Sequence, residues 1–185
     1  MNITNSVVEL NNEEKQYMEN YVLSGFFPWY LSPKMNQSTS VPTEMNASDT
    51  HFLFHHMKMR SAVEGQDGQV IDMEVFNFFT NIFDKWCKSN SISWSKIHRA
   101  TLNLTFSVPA EHGIPHLDHK FPHKNWIMYL DTVPDTDTIL FDDNYNIVKS
   151  IPCEKYTAVS FDSQLHSTKY KPGLYYRRVA VFTYS

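Results

Sequence analysis

A period of two governs the second half of this chain. Between residues 100 and 106, Ala100, Leu102, Leu104 and Phe106 alternate with Thr101, Asn103 and Thr105, which makes one face apolar and the other polar. Residues 126–130, 138–141, 157–161 and 179–184 are further short apolar runs, separated by turns rich in Pro, Asp, Asn and Gly. Successive short strands without intervening helices favour an antiparallel barrel or jelly roll over an α/β sheet. The expected fold is therefore mainly β with N-terminal helices and a double-stranded β-helix (jelly roll, cupin-like) core.

Helical signals precede that pattern. Asn11 and Glu14 have the spacing of a capping box, so residues 12 to about 23 are expected to form a helix with Tyr17, Tyr21 and Leu23 available for packing. Gly25 and Pro28 end it. Residues 26–49 place Phe27, Trp29, Tyr30 and Leu31 ahead of a Ser-, Thr- and Asn-rich stretch, read as an aromatic anchor leading into a mobile loop able to close over a site. Residues 51–59 suit a strand, and residues 64–69 a turn around Gly65 and Gly68. From residue 70 to 86, Met73, Phe76, Phe79, Phe83 and Trp86 recur at helical spacing and predict a buried stripe against one sheet face. Residues 1–185 are read as a single domain, with helical support and loops over 1–90 and most of the core over 91–185.

Bulk composition narrows the function classes. Sixteen Lys and Arg stand against 20 Asp and Glu, a net charge of -4, with no long basic block, so there is no strong nucleic-acid signal. Cys87 and Cys153 are the only cysteines and form no CxxC pair, which points to reduced structural thiols. The first twelve residues lack the pattern of a secretion signal, and no apolar run is long enough to span a bilayer. A cytoplasmic protein with no membrane partner is the resulting expectation.

His116-Leu117-Asp118 is the chemical signal. In extended chain, residues i and i+2 leave the same face, so His116 and Asp118 can reach one ion together, and His166 is available from a separate strand. Two imidazoles and one carboxylate on one side of a metal match the ligand set of non-haem iron oxygenases. His116 and Asp118 follow a Gly113-Ile114-Pro115 turn, and His166 follows the apolar run ending at Phe161, so each ligand sits at a strand end or loop. Nearby His119 alternates away from Asp118 and reads as a surface or supporting group, as do His112 and His123, while His51, His55 and His56 are either exposed or near a substrate approach. Residues 142–146 (Asp142-Asp143-Asn144-Tyr145-Asn146) lack the spacing of a calcium loop and read as a hairpin turn.

The order His-x-Asp, distal His, then Arg resembles the iron(II)- and 2-oxoglutarate-dependent dioxygenases of the prolyl-4-hydroxylase-like superfamily, and especially small bacteriophage members. Phe26-Phe27-Pro28-Trp29-Tyr30 is similar to the aromatic opening of those members, and Thr138-Ile139-Leu140-Phe141 stands where the family has a Thr-x-Phe strand. Thr136-Asp137 replaces the paired glycines usual just before that strand. The resemblance implies iron(II) held by His116, Asp118 and His166, with O2 and 2-oxoglutarate as co-substrates and ascorbate as an optional reductant. It also implies an Arg anchor for the diacid. Arg177 and Arg178 compete for that role, and Arg178 is preferred because it shares strand phase with Ala180 and Phe182, where a small neighbour leaves space. Tyr129 and Asn103 are the further co-substrate candidates, with Phe106, Phe161 and Phe182 as an apolar sheath. The implied activity is oxidative decarboxylation of 2-oxoglutarate coupled to hydroxylation of a small-molecule or peptide substrate, a prolyl side chain among the options, in the host cytoplasm if phage-encoded. The competing readings are a cupin-like metalloenzyme independent of 2-oxoglutarate and a non-catalytic jelly-roll binding module.

Overall fold

The computed structural model describes residues 2–32, 45, 47, 48, 51–63, 66–173 and 175–185. Its strands are β1 (Ile3–Val7), β2 (Tyr30–Ser32), β3 (Phe52–Lys58), β4 (Ile97–Phe106), β5 (Lys124–Tyr129), β6 (Thr138–Phe141), β7 (Ile147–Ile151), β8 (Thr157–Asp162), β9 (His166–Thr168) and β10 (Tyr176–Tyr184). Seven of them form one sheet in the order β1-β8-β5-β10-β4-β3-β2, and β7-β6-β9 form a second. Every paired strand is antiparallel. The result is a two-sheet core without a closed barrel among the described residues, carried behind N-terminal helices.

The capping box forms as expected. Asn11 accepts from the Glu14 amide at 2.9 Å and the Glu14 carboxylate accepts from the Asn11 amide at 2.9 Å, opening α1 (Asn12–Tyr17). The helix then widens into a π-helical turn over Met18–Val22. That widening rotates the inward face, so Met18 and Val22 are buried while Tyr21 is exposed. The stretch from residue 33 to 44, where the lid expectation falls, lies outside the described residues.

The second helix, α2 (Met73–Ser89), starts three residues later than periodicity predicts. Asp72 caps it by accepting from the Val75 amide at 3.1 Å, and Val70 instead pairs with Lys58 as an isolated bridge. The late start leaves Met73 exposed; the buried stripe is Val75, Phe79, Ile82, Phe83, Trp86 and Cys87. This stripe covers one face of the large sheet. Phe83 meets Trp126, Phe182 and Tyr184 at ring-centroid distances of 5.2, 5.3 and 4.9 Å.

Strand phase divides the large sheet into two faces. Ala100 and Leu102 on β4, Trp126 and Met128 on β5, and Ala180 and Phe182 on β10 belong to the helix-packed core. Ile127 and Tyr129, Val159 and Phe161, and Val179 and Val181 turn the other way and join Leu140 and Ile151 of the small sheet in a second core. The registers Arg99↔Thr183↔Asn125 and Asn103↔Val179↔Tyr129 put those residues on this inter-sheet face too.

Short elements at the margins escape period reading. β1, β2, β7 and β9 run for 5, 3, 5 and 3 residues, and the exposed ones carry little apolar alternation. The turn between β6 and β7 is a polar hairpin, in which the Asp142 carboxylate accepts from the Asn144 and Asn146 amides at 2.9 and 2.8 Å. Ahead of β6, the turn closes without paired glycines: Asp135 takes φ 64° and the Thr136 hydroxyl donates to the Val133 carbonyl at 2.7 Å. Phe83→Ala is expected to destabilise the protein by about 3–5 kcal/mol through loss of burial and cavity formation, measured by urea unfolding. A loss under ~1 kcal/mol would contradict the central place given to this ring.

Candidate metal centre

Gly113 permits a close approach that brings the ligands together. A Cβ there would lie 2.7 Å from the Ser167 hydroxyl and 3.1 Å from the Tyr170 hydroxyl, so glycine lets residues 112–116 lie along β9 without displacing those side chains. The Gly113 amide donates to the Thr168 carbonyl at 2.9 Å, and His116 and His166 exchange both backbone hydrogen bonds at 3.1 Å. This segment therefore extends the small sheet by one ribbon, with the two histidines directly across from each other. Their rings are 4.5 Å apart. Beyond His116 the chain leaves the ladder, but alternation persists: Leu117 is exposed and Asp118 turns inward, 7% exposed.

One ligand atom from each of His116, Asp118 and His166 lies within 4.8 Å of the other two. The Nδ1 atoms of His116 and His166 lie 3.1 and 2.9 Å from the carbonyls of Ile114 and Gln164. A carbonyl only accepts, so each Nδ1 holds the proton and each Nε2 presents a lone pair. Asp118 Oδ1 accepts from Arg99 Nη1 at 2.9 Å, while Oδ2 is buried without a hydrogen-bond partner, 3.4 Å from His166 Nε2. A carboxylate oxygen held open beside imidazole lone pairs fits a divalent cation, and backbone-fixed imidazoles are the usual supporting arrangement.

Electrostatics agree with that fit. Burial lowers the His116 pKa to about 4, helped by the neighbouring His166 imidazole, so the ring is neutral at physiological pH. Burial acts to raise the Asp118 pKa, but contacts with His166, Arg99 and His116 outweigh it and hold the carboxyl well below its ordinary range. Arg99 was not apparent as a site residue in the strand pattern, where it reads as an ordinary polar position before Ala100. It keeps phase with Thr101 and Asn103 and so faces the inter-sheet side opposite Thr183, just before the register shift at the end of the β4–β10 pairing. Arg60 is a second such residue, donating from Nη1 to the Asp118 carbonyl at 3.0 Å.

The ligands open into an inter-sheet cavity of about 900 Å³, whose walls include Phe52, Phe54, His56, Asn103, Ile127, Thr138, Arg177, Val179 and Val181. Arg177, not Arg178, faces it. The Arg177 guanidinium is 2% exposed, donates to the hydroxyls of Thr138 and Thr168 at 2.8 and 3.3 Å, and keeps a buried Nε without a partner. Arg178 lies on the opposite face, where its Nε and Nη2 grip Asp131 at 2.9 and 2.7 Å and its Nη1 reaches the Leu23 carbonyl at 3.0 Å. The preference for Arg178 is thus reversed. Its phase partners Ala180 and Phe182 are small and large for packing on α2, and leave no ligand space.

Tyr129 lies beneath the cavity instead of lining it. Its ring is 5.3 Å from the Arg177 guanidinium carbon and its hydroxyl donates to Thr138 at 2.9 Å; burial pushes its pKa up to about 12. Asn103 does line the cavity, with its amide oxygen accepting from the Thr101 hydroxyl at 3.2 Å. The expected sheath of Phe106, Phe161 and Phe182 is replaced by Ile127, Val179 and Val181, with Phe161 behind His166 at 5.2 Å. His119 bonds the Thr183 hydroxyl at 2.7 Å, His55 is buried between Pro28 and Asp72, and His112 packs at a tilt against Phe141.

No family model and no curated protein matches the sequence. Solved structures do match. An oxidoreductase of the 2OG-Fe(II) oxygenase family from Burkholderia pseudomallei aligns over 99% of this chain and 84% of its own, with TM-score 0.66 and 12% identity. The chain has the fold of the 2-oxoglutarate and iron(II) oxygenases. A prolyl hydroxylase from Trichoplax adhaerens, solved with a hypoxia inducible factor peptide fragment, aligns over 98% of this chain and 82% of its own at TM-score 0.54 and 12% identity. AviO1 from Streptomyces viridochromogenes Tue57 aligns over 99% and 89% at TM-score 0.55 and 13% identity. Fold and ligand set together are those of an enzyme. Among the described residues, no helix is long and apolar enough to cross a membrane.

Two outcomes follow from the site's charges. His56, His116 and His119 each sit at about 4 in the folded protein, against about 6.5 for free histidine. Between those values the unfolded chain binds protons that the folded chain refuses, so stability of the metal-free protein is full above pH 6.5 and declines as pH falls toward 4. Urea midpoints across that range report it; a flat profile would refute the neutral, buried assignment. Arg99→Met is expected to weaken zinc(II) affinity about 10–100-fold by freeing the Asp118 carboxylate to turn, as read by chelator competition.

Proposed function

We propose that this protein is an iron(II)- and 2-oxoglutarate-dependent oxygenase that hydroxylates an organic substrate, its two sheets forming the jelly-roll type of double-stranded β-helix. The observation that carries the reading is one cavity with two poles: a buried His-Asp-His ligand set, and a buried guanidinium with an unspent donor. His116 Nε2, Asp118 Oδ2 and His166 Nε2 would hold iron(II). Iron, when bound, supplies dioxygen activation coupled to oxidative decarboxylation of the co-substrate.

The chain's own residues perform the positioning. Arg177 holds the distal carboxylate of 2-oxoglutarate by charge-assisted hydrogen bonds. The hydroxyls of Thr138 and Thr168 and the Tyr129 ring fix the guanidinium, so its direction is set before the diacid arrives. Ile127, Val179 and Val181 exclude water around it, which strengthens the contact in a low-dielectric setting. Asn103 is placed to donate an amide hydrogen bond to the co-substrate or substrate. Tyr129 acts through Arg177 and Thr138. The substrate is a small molecule or a peptide side chain, prolyl included by fold likeness to the peptide-bound hydroxylase. Of the aromatic opening, Phe27 enters the core and Trp29 packs half-buried against it.

Anaerobic titration of the purified protein with iron(II) and 2-oxoglutarate tests the proposal, with ascorbate present to keep the metal reduced. A visible charge-transfer band and tighter 2-oxoglutarate binding in the presence of iron are expected, and both disappear in His116→Ala and Asp118→Ala. Arg177→Ala raises the Kd for 2-oxoglutarate by about 10–100-fold, whereas Arg178→Ala leaves it within a factor of ~2. Metal binding with no response to 2-oxoglutarate would return the chain to the cupin-like reading.

A further inference from the structure

The site of metal and co-substrate occupies only part of its cavity. About 900 Å³ approaches the upper end of the range for drug-sized ligands, about 300–1,000 Å³, so a small diacid leaves room for a second molecule. A neighbouring chamber of about 270 Å³ shares Arg60, Ser61, His119 and Phe121 with it. The charge of these walls is one-sided. Arg60, Arg99, Lys120 and Arg177 line the larger cavity and Lys96 the smaller, while Asp118 is the only carboxylate on either wall among the described residues. The whole chain carries the opposite balance, 16 basic against 20 acidic residues.

These cations are not equivalent. Arg99 is committed to Asp118, and Arg177 lies buried between Thr138 and Thr168. Arg60 and Lys120 remain exposed at the mouth, and Arg60 spends Nη1 alone, on a backbone carbonyl that leaves its charge uncancelled. His56, on β3, lines the same cavity as they and the metal ligands do, its Nδ1 buried without a partner. Burial, with Arg99 and Arg60 beside it, holds the His56 imidazole down at about 4. A neutral ring among cations offers a hydrogen bond without adding repulsion, and the cationic mouth concentrates anions from solution.

Building on the oxygenase reading, we infer that the primary substrate is a small molecule bearing a carboxylate or phosphate group, which Arg60, Lys120 and His56 seat at the cavity mouth while its target carbon points toward the ligand triad. Arg60 supplies a planar donor edge, Lys120 a point charge, and His56 a directional hydrogen bond. Phe54 and Phe121 flank the passage as apolar walls. Two anion sites at different depths then distinguish the co-substrate from the substrate: the deep one is sealed and fixed, and the outer one is open.

The test uses the full chain loaded anaerobically with iron(II) and saturating 2-oxoglutarate, so that Arg177 is occupied. Glycerol 3-phosphate and N-acetylglutamate are titrated by calorimetry, each against its neutral counterpart, glycerol and N-acetylglutamine amide. At least one anion is expected to bind tenfold or more tightly than its counterpart, and which one binds separates phosphate from carboxylate. That affinity should fall at least fivefold in Lys120→Glu, an exposed site without a structural partner, and in Arg60→Gln. Equal binding of charged and neutral members, no binding of either anion, or unchanged affinity in a folded Lys120→Glu overturns the inference. The charge-transfer band is read in the same samples: its presence keeps the oxygenase reading alive when the inference fails. If the band is absent, calorimetry on the metal-free chain decides the anion site by the same thresholds.

Discussion

Every side chain on the central strands must choose between two faces, and that constraint organises this protein. On β10 the even positions Ala180, Phe182 and Tyr184 serve the packing of α2, and the odd positions Arg177, Val179 and Val181 line or approach the inter-sheet cavity. The apolar burial on the α2 side is dense enough to lock the phase, because a slip of one residue would drive Phe182 to the cavity face and leave Phe83 and Trp126 without it. Packing far from the metal centre thus determines which arginine faces it. Arg178, forced outward, is satisfied by a bidentate contact with Asp131, whose carboxylate raises its pKa against the opposing pull of burial.

Long periodic segments were legible in the sequence for the same reason. β4, β5, β8 and β10 are buried largely on both faces and α2 along one stripe, so their apolar runs and periods are the physical record of that packing. The cluster of His116, Asp118 and His166 was legible too, because two imidazoles and a carboxylate at strand ends carry their own chemistry. Short ribbons held by edge pairing were not: β9 has three residues, and the segment at 112–116 joins it through isolated bridges that leave no pattern. The arginine choice failed for a subtler reason. Ala180 beside Arg178 signalled space, but the space belongs to α2, and period alone does not say which face holds a helix and which a cavity. Arg99 was missed because strand phase gives its face but not its partner: the ion pair forms only when the loop carrying Asp118, 19 residues on, returns across β4.

Buried charge is the second organising fact. Arg99, enclosed beside Asp118, is pulled down in pKa by burial and by Arg60, and is sustained by the carboxylate it pairs with. Such a pair returns little net stability, since desolvation consumes most of the Coulombic gain, so its value lies in geometry. One carboxylate oxygen is tied to the sheet and the other is left bare. Arg177 follows a parallel logic, with hydroxyls replacing a counter-ion so that its charge stays available. Both sites hold polar groups at a cost that an apolar core would avoid, which is the mark of binding chemistry over packing.

The two sheets meet at the ligand set, and this placement couples metal to fold. His116 and His166 belong to the small sheet through their shared bridge, while Asp118 is tied to β4 of the large sheet through Arg99. An ion held by all three would close a crosslink between sheets that otherwise share a core of aliphatic and aromatic side chains. Metal affinity expressed only in the folded state adds to folding free energy, so occupancy would stiffen the seam between the two sheets. The open Asp118 oxygen and the cavity behind it are two aspects of one arrangement: both arise where the sheets diverge and side chains leave the seam unfilled.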